Sequence, residues 1–352
     1  MLCGGYRFEC SMLNLHRHRQ PRILVSGEVA ILFPRGSSRT IANITIVGRN
    51  PAVIIDAGQY WDPGASVLTQ ALLKLGIPWE SVTTILITHS HLDHIGGLAA
   101  ILRKLPNAKA FCHTREIYST LHHFRAHSAW KDMFQCNNNP PVVHAMYWAF
   151  STVLDLVQLV HSQRAKKISG ITDEQIAFPA GNGKLHPIFT PGHSLGHTSY
   201  LYDSGDLILG DMVPRTPWLD PIPGGLRRYV QSVNQLLALP IDKVRRSIRS
   251  HANAREGGRV FYPWKQERER FSQHLAQIQD TLEKLPRLLM NRELTIPQIL
   301  PLIIRRNGSY SKLMSDFYID PDSTWVMAYL EELVHQGKIS RKLKRGKIWW
   351  SA

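Results

Sequence analysis

Three histidines and one aspartate fall within six positions of the stretch THSHLDHIGG, residues 88 to 97, directly after the apolar run Thr84-Ile85-Leu86-Ile87. Neutral imidazole is a ligand for zinc, iron, nickel or copper, and a carboxylate suits a harder neighbouring cation. On a helix, His89, His91, Asp93 and His94 would scatter around the axis. On a loop leaving a strand, alternate residues converge, so His89 and His91 are expected to address one point while Asp93 and His94 address a second. Gly96 and Gly97 are expected to let this loop turn closely into the helix that follows.

A metal needs more ligands than one loop supplies, and other strand ends offer them. TPGHSLGHTSY puts His193 in a Pro-Gly turn between the strand-like runs LHPIFT and TSYLYD. DLILGDM puts Asp211 at the end of another apolar run, and SIRSHANA puts His251 after a shorter one. Any one of these alone reads as a polar strand cap. Four stations in chain order, each at a strand end, read as a metal site.

The order HxHxDH, then His193, Asp211 and His251, resembles the metallo-β-lactamase fold superfamily over roughly residues 23 to 275. Asp56 in VIIDAG falls where that superfamily carries an early strand-end aspartate; the SHAN context of His251 lacks the glycine flank of the family pattern. The resemblance implies an α/β fold, an αββα sandwich with a two-metal site along one edge of its sheets. It implies that His89, His91 and His193 bind one divalent metal ion and that Asp93, His94 and His251 bind the second, with Asp211 bridging both. Asp56 and His197 would orient ligands from behind. Zinc is the first expectation for both ions, with iron and manganese as alternatives. The implied chemistry is hydrolysis by a metal-activated hydroxide, with Asp93 and Asp211 as the catalytic carboxylates and Asp93 taking the proton as the intermediate collapses.

The branch of the family narrows on particular residues. Flavodiiron-type reductases carry Glu where His91 stands, and nucleases of the β-CASP type insert a whole domain where only some 40 positions separate Asp211 from His251. TPGHSLGHTSY is similar to the TPGHTxGH turn of glyoxalase-II-like thioesterases. A small ester, thioester or lactone is therefore the expected substrate, with an endoribonuclease using the same site as the alternative.

The elements that must position these residues follow from the pattern. ILVSGEVAILF, TIANITIVG and AVIIDAG are short β-branched runs broken by Gly, Pro and Asn, as in a sheet built from hairpins. ASVLTQALLKLGI has helical spacing with Gly76 near its end, and the strands TTILITHS and AKAFCHT flank the helix IGGLAAILRKL. Residues 115 to about 170 read as a helical insertion rich in aromatics and histidines (His113, His122, His123, His127, His144, His161), a wall of the substrate pocket or a homodimer contact. A long helix across PWKQERERFSQHLAQIQDTLEKL is expected to stop at Pro286. Residues 285 to 352 then read helix, helix, basic hairpin, a winged-helix-like domain similar to one carried by a group of superfamily hydrolases.

The expected division is a tail over 1 to 22, a catalytic domain over 23 to 284 and the small domain over 285 to 352. The tail holds Arg7, Arg17, Arg19 and Arg22 against Glu9 and lacks the apolar stretch of a secretory signal, and Met12 is an alternative start. Of the 352 residues, 43% are hydrophobic and 20% charged, which suits a large packed core. No apolar run reaches the length of a membrane span. Cys3, Cys10, Cys112 and Cys136 form no CxxC pair, which fits a reducing compartment and a cytoplasmic setting. The net charge of +15 is read mainly as a basic surface. Nucleic acid is the partner it would otherwise suggest, through KISRKLKRGK near Trp349 and Trp350.

Overall fold

A computed structural model describes residues 22–33, 42–58, 64–105, 107–121, 149, 168–172, 174–216, 218–220, 222, 224–253, 258–303 and 321–352. Two sheets face each other. The first runs in the order β1 (Arg22–Ser26), β2 (Val29–Phe33), β3 (Ile44–Val47), β4 (Ala52–Ile55), β5 (Val82–Leu86), β6 (Lys109–His113) and β7 (Ile168–Ile171). Its first three pairings are antiparallel and its last three parallel. The second sheet contains β8 (Phe178–Ala180), β9 (Gly183–Phe189), β10 (Thr198–Tyr202), β11 (Asp206–Gly210), β12 (Arg246–Asn253) and β13 (Arg259–Pro263). Here β11 and β12 are parallel and the other pairings antiparallel.

The strands are covered on both faces, which is why β2, β3, β4 and β11 are buried at every residue and why β2 and β4 read as unbroken apolar runs. Alternate residues divide them between two cores. Val29, Ile31, Phe33, Val53 and Ile55 point between the sheets and meet Tyr200, Tyr202, Ile208 and Ile248 of the second sheet. Ala30, Leu32, Ile44, Ile46 and Ile54 point outward and are covered by Leu68 and Leu72 of α1 (Gly64–Leu75) and by Ile101 and Leu102 of α3 (Leu98–Lys104). Between those helices lies the single turn α2 (Leu92–Ile95). On the far side, Leu207 and Leu209 of β11 pack with α5 (Gly225–Leu237) and α6 (Trp264–Leu289). The architecture is helix, sheet, sheet, helix, in agreement with the expected αββα sandwich.

Three local expectations need correction. Pro286 does not end α6, which runs on to Leu289 and so crosses the expected boundary at 284. Leu285 and Leu289 are fully buried on its inner face. Burying two leucines contributes roughly 3–6 kcal/mol, enough to offset the roughly 3 kcal/mol cost of a helical proline. Gly96 (φ −57) and Gly97 (φ −82) are right-handed helical, so the turn after HLDH does not use glycine's freedom; Gly97 N–H instead approaches the Gly58 carbonyl at 3.1 Å. Asp93 and His94 lie on α2 rather than on an open loop.

Of the expected insertion, α4 (Thr114–Leu121), residue 149 and the region of β7 are described; His122, His123, His127, His144 and His161 lie outside the described residues, as do residues 1 to 21 of the expected 1 to 22 tail, whose last residue, Arg22, opens β1. The C-terminal part contains α7 (Ile296–Ile303), α8 (Pro321–His335) and the hairpin β14 (Ser340–Lys344) and β15 (Lys347–Ser351), turning at Arg345-Gly346 with φ of 51 and 74. Trp325, Leu330, Leu333, Ile348 and Trp350 join one continuous apolar cluster with Leu226, Tyr229 and Phe271. No described helix is long and apolar enough to cross a membrane.

Candidate metal centre

All the chemistry-bearing residues gather where strands of both sheets end. Asp56 follows β4, His89 and His91 follow β5, and Asp93 and His94 sit on α2. His193 and His197 come from the turn between β9 and β10, and Asp211 follows β11. His251 lies inside β12, close to its end, where pairing with β13 shifts register between Ile248 and Asn253. That bulge, not a strand terminus, aims the side chain.

Three groups form: His89 with His91 and His193, His89 with His94 and Asp211, and Asp93 with His94 and His251. Asp211 faces both sides, with Oδ2 3.5 Å from His193 Nε2 and Oδ1 3.5 Å from His94 Nε2 and 3.4 Å from His251 Nε2. Asp93 Oδ2 is 3.1 Å from His251 Nε2 and 3.6 Å from His94 Nε2.

The hydrogen bonds behind the rings decide which nitrogen faces inward. His193 Nδ1 lies 2.7 Å from the Trp218 carbonyl, which only accepts, so Nδ1 carries the proton and Nε2 presents a lone pair. His91 Nε2 lies 2.9 Å from Asp220 Oδ1, so in the neutral ring that binds a cation its Nδ1 presents the lone pair. The Thr88 hydroxyl donates to Asp56, leaving its oxygen to accept from His89 Nδ1 at 3.0 Å and freeing His89 Nε2. These three lone pairs converge: His193 Nε2 is 3.0 Å from both His89 Nε2 and His91 Nδ1. Acceptors facing acceptors at that distance need a positive charge among them. A cation taking imidazole nitrogens tetrahedrally at about 2.0–2.1 Å would set them roughly 3.3 Å apart, close to what is seen.

The second group passes a similar test. His94 Nδ1 lies 2.7 Å from Asp56 Oδ2, while its Nε2 is buried with no hydrogen-bond partner and turned to the Asp93 and Asp211 carboxylates. A buried orphan nitrogen between two acids fits a cation ligand. Among the described residues these donors fit two divalent cations, and His113 joins no such group; it packs edge-on to Phe189.

Charge follows the same division. Burial holds His89 well below the ordinary imidazole range and pushes His193 down to about 4, which keeps both neutral. Burial also pulls on His91, but Asp220 outweighs it and raises the ring. In the second group burial again opposes charge, yet Asp56 and Asp93 raise His94, and Asp211 and Asp93 raise His251 to about 10. Burial would raise the two carboxyls; instead His94 beside Asp93 and His251 beside Asp211 carry both well below the carboxylate range. The acids therefore draw positive charge inward.

Several supporting residues carry no sequence signal of their own. Glu116, on α4, accepts hydrogen bonds from Ser90 N–H (3.1 Å), Ser194 Oγ (2.8 Å), Gly196 N–H (2.6 Å) and the Ser90 hydroxyl. It ties the two histidine-bearing loops together. Asp220, Thr88 and Thr216 likewise touch the rings, and only the three-dimensional arrangement brings them there. Asp56 sits at φ 62 with Thr88 N–H 2.8 Å from Oδ1, a left-handed residue held by the site it serves. His197 does not face the cluster of lone pairs; its Nε2 accepts from the Asp211 N–H at 3.1 Å and its Nδ1 meets the Thr190 hydroxyl. Gly210 (φ 60) must be glycine, because a Cβ would stand 2.6 Å from His197 Nε2.

Comparison with known proteins identifies the family and the fold. The Metallo-beta-lactamase superfamily profile matches residues 38–245, well over half of the chain. A mouse protein, Metallo-beta-lactamase domain-containing protein 1, is 35% identical over 88 residues, 22% of this chain and 33% of that protein; the chain thus spans about a third of the length of the curated relative it matches. A beta-lactamase domain protein from Burkholderia ambifaria superposes with a TM-score of 0.69 at 18% identity, over 94% of this chain and 93% of the other. A metallo-beta-lactamase family protein from Thermus thermophilus gives 0.65 at 20% identity, over 92% and 99%. At those identities the two structures speak for the fold. With more than half of its length matched, the chain belongs to the metallo-beta-lactamase superfamily, a superfamily of metallo-hydrolases.

Proposed function

We propose that this chain is a two-metal hydrolase of a small ester, thioester or lactone. The observation that carries the proposal is the convergence of the His89, His91 and His193 lone pairs beside the acid-rich group of Asp93, His94 and His251. His89, His91 and His193 would hold one cation, Asp93, His94 and His251 the other, with Asp211 between them. Bound there, two divalent ions, zinc by preference for imidazole, would polarise the acyl oxygen and make water a nucleophile near neutral pH.

The chain's own residues supply the rest. Asp56 and Thr88 fix the His94 and His89 rings, and Asp220 and the Trp218 carbonyl fix His91 and His193. His197 holds the backbone of Asp211. Asp93 is the more exposed catalytic carboxylate, at 24% against 8% for Asp211, so it is the one that meets substrate and passes the proton to the leaving group. Trp218 beside the site suits a partly apolar acyl group.

A second reading, endoribonuclease activity, draws on β14, whose five residues are all exposed and mostly basic. Its cations are partly spent within the chain, because Glu293 pairs with Lys342 and Lys344 and Glu331 with Arg341. We read 285–352 as a winged-helix-like module that caps the hydrolase. Protein reconstituted with zinc, manganese or iron is to be assayed against thioesters, lactones, β-lactams and short RNAs. Acyl cleavage that disappears in His91→Ala supports the proposal; RNA cleavage with every acyl compound inert overturns it.

A further inference from the structure

Helix α8 makes two hydrogen bonds to the segment 216–220, and that segment touches both His91 and His193. Trp325 Nε1–H donates to the Thr216 carbonyl at 2.7 Å, and Leu219 N–H donates to Thr324 Oγ1 at 3.2 Å. From the described residues of the same segment, the Trp218 carbonyl accepts from His193 Nδ1, and Asp220 accepts from His91 Nε2. Asp220 N–H also donates to the His193 carbonyl at 2.9 Å, and the Trp218 indole donates to Asp220 Oδ1 at 3.1 Å. Thr324 and Trp325 are 2% and 4% exposed, so both links to the segment are made away from water, where hydrogen-bond geometry is held most firmly.

We propose that Thr324 and Trp325 are positioning residues for the first metal group, acting through segment 216–220 on the rotation of the His91 and His193 rings. This rests on reading His89, His91 and His193 as a cation site. An imidazole lone pair is directional, so a carbonyl or carboxylate that drifts behind the ring misaims the nitrogen in front of it. The C-terminal helix is then part of the support of the centre and not an appendage beside it. Trp325 also packs edge-on to Tyr229 at 5.3 Å, so its loss would disturb the core as well; the test must separate the two roles.

Cobalt(II) titrated into metal-free, full-length protein and followed by visible absorption separates them. A His251→Ala background isolates the first group. Thr324→Val and Trp325→Phe are expected to weaken cobalt binding there about tenfold and to alter the ligand-field bands, with Thr324→Ser restoring both. Leu333→Val, buried on the same helix, is expected to lower the melting temperature while leaving the cobalt spectrum unchanged. Wild-type affinity and spectrum in folded Thr324→Val and Trp325→Phe would overturn the proposal. If Trp325→Phe does not fold, the nearly isosteric Thr324→Val decides alone. Failure of the parent protein to take up cobalt at all would instead remove the cation-site reading beneath it.

Discussion

The Glu116 carboxylate lies 2.8 Å from the Ser194 hydroxyl and also receives the Ser90 hydroxyl, so one buried acid fastens the loop of His89 and His91 to the loop of His193. It is 2% exposed and surrounded by four donors. Glu116→Gln puts an amide nitrogen, itself a donor, against two of them. The expected cost is about 2 kcal/mol of stability by urea unfolding, with weakened metal retention on dialysis. Unchanged unfolding and full metal content would show that the clamp is dispensable.

Asp56→Asn tests how the second group is tuned. Asparagine tolerates the φ of 62, so the backbone should hold. Its amide can donate to His94 Nδ1, which moves the ring proton to Nε2, the atom facing Asp93 and Asp211. Metal affinity at that group is expected to fall roughly 10- to 100-fold with little change in the circular dichroism spectrum. Isothermal titration with zinc measures it.

Metal removal should leave a folded chain. The apolar cores flanking the sheets contain none of the residues of the metal groups. Chelation is expected to abolish turnover and to lower the melting temperature. Added zinc should restore both, since a ligand at about 100 times its dissociation constant stabilises by about 2.7 kcal/mol. A melting curve that ignores zinc would count against the site.

His274, which joins none of the three metal groups, gives a separate pH dependence. Burial pushes its pKa down to about 4, with its ring packed on Tyr229 and Trp325. Unfolded, the ring titrates near 6.5, so between those values the unfolded chain binds more protons and stability drops as pH falls. The full effect is on the order of 3 kcal/mol. His274→Phe should flatten this part of the profile, so the gap between wild type and variant widens from pH 7 to pH 4. Parallel profiles would refute it.

Residue order alone carries the candidate ligand stations and the strand pattern behind them. HxHxDH, His193 and Asp211 are legible because strand ends are where a sheet can aim side chains at one point, and the apolar runs before them mark the strands; His251 instead lies inside β12 and is aimed by a bulge that the residue pattern does not show. Strands buried on both faces, such as β2 and β4, show as unbroken hydrophobic stretches. What stands behind each ligand is visible only in three dimensions. Glu116 is one acid of a helix, Asp220 one residue of a Pro-rich segment and Thr324 one hydroxyl of a C-terminal helix, and nothing in their local context distinguishes them. Each acts through a contact 78 to 129 positions away in the chain. Local pattern reports which face of an element is buried; it does not report which distant hydrogen bond that burial brings within about 3 Å.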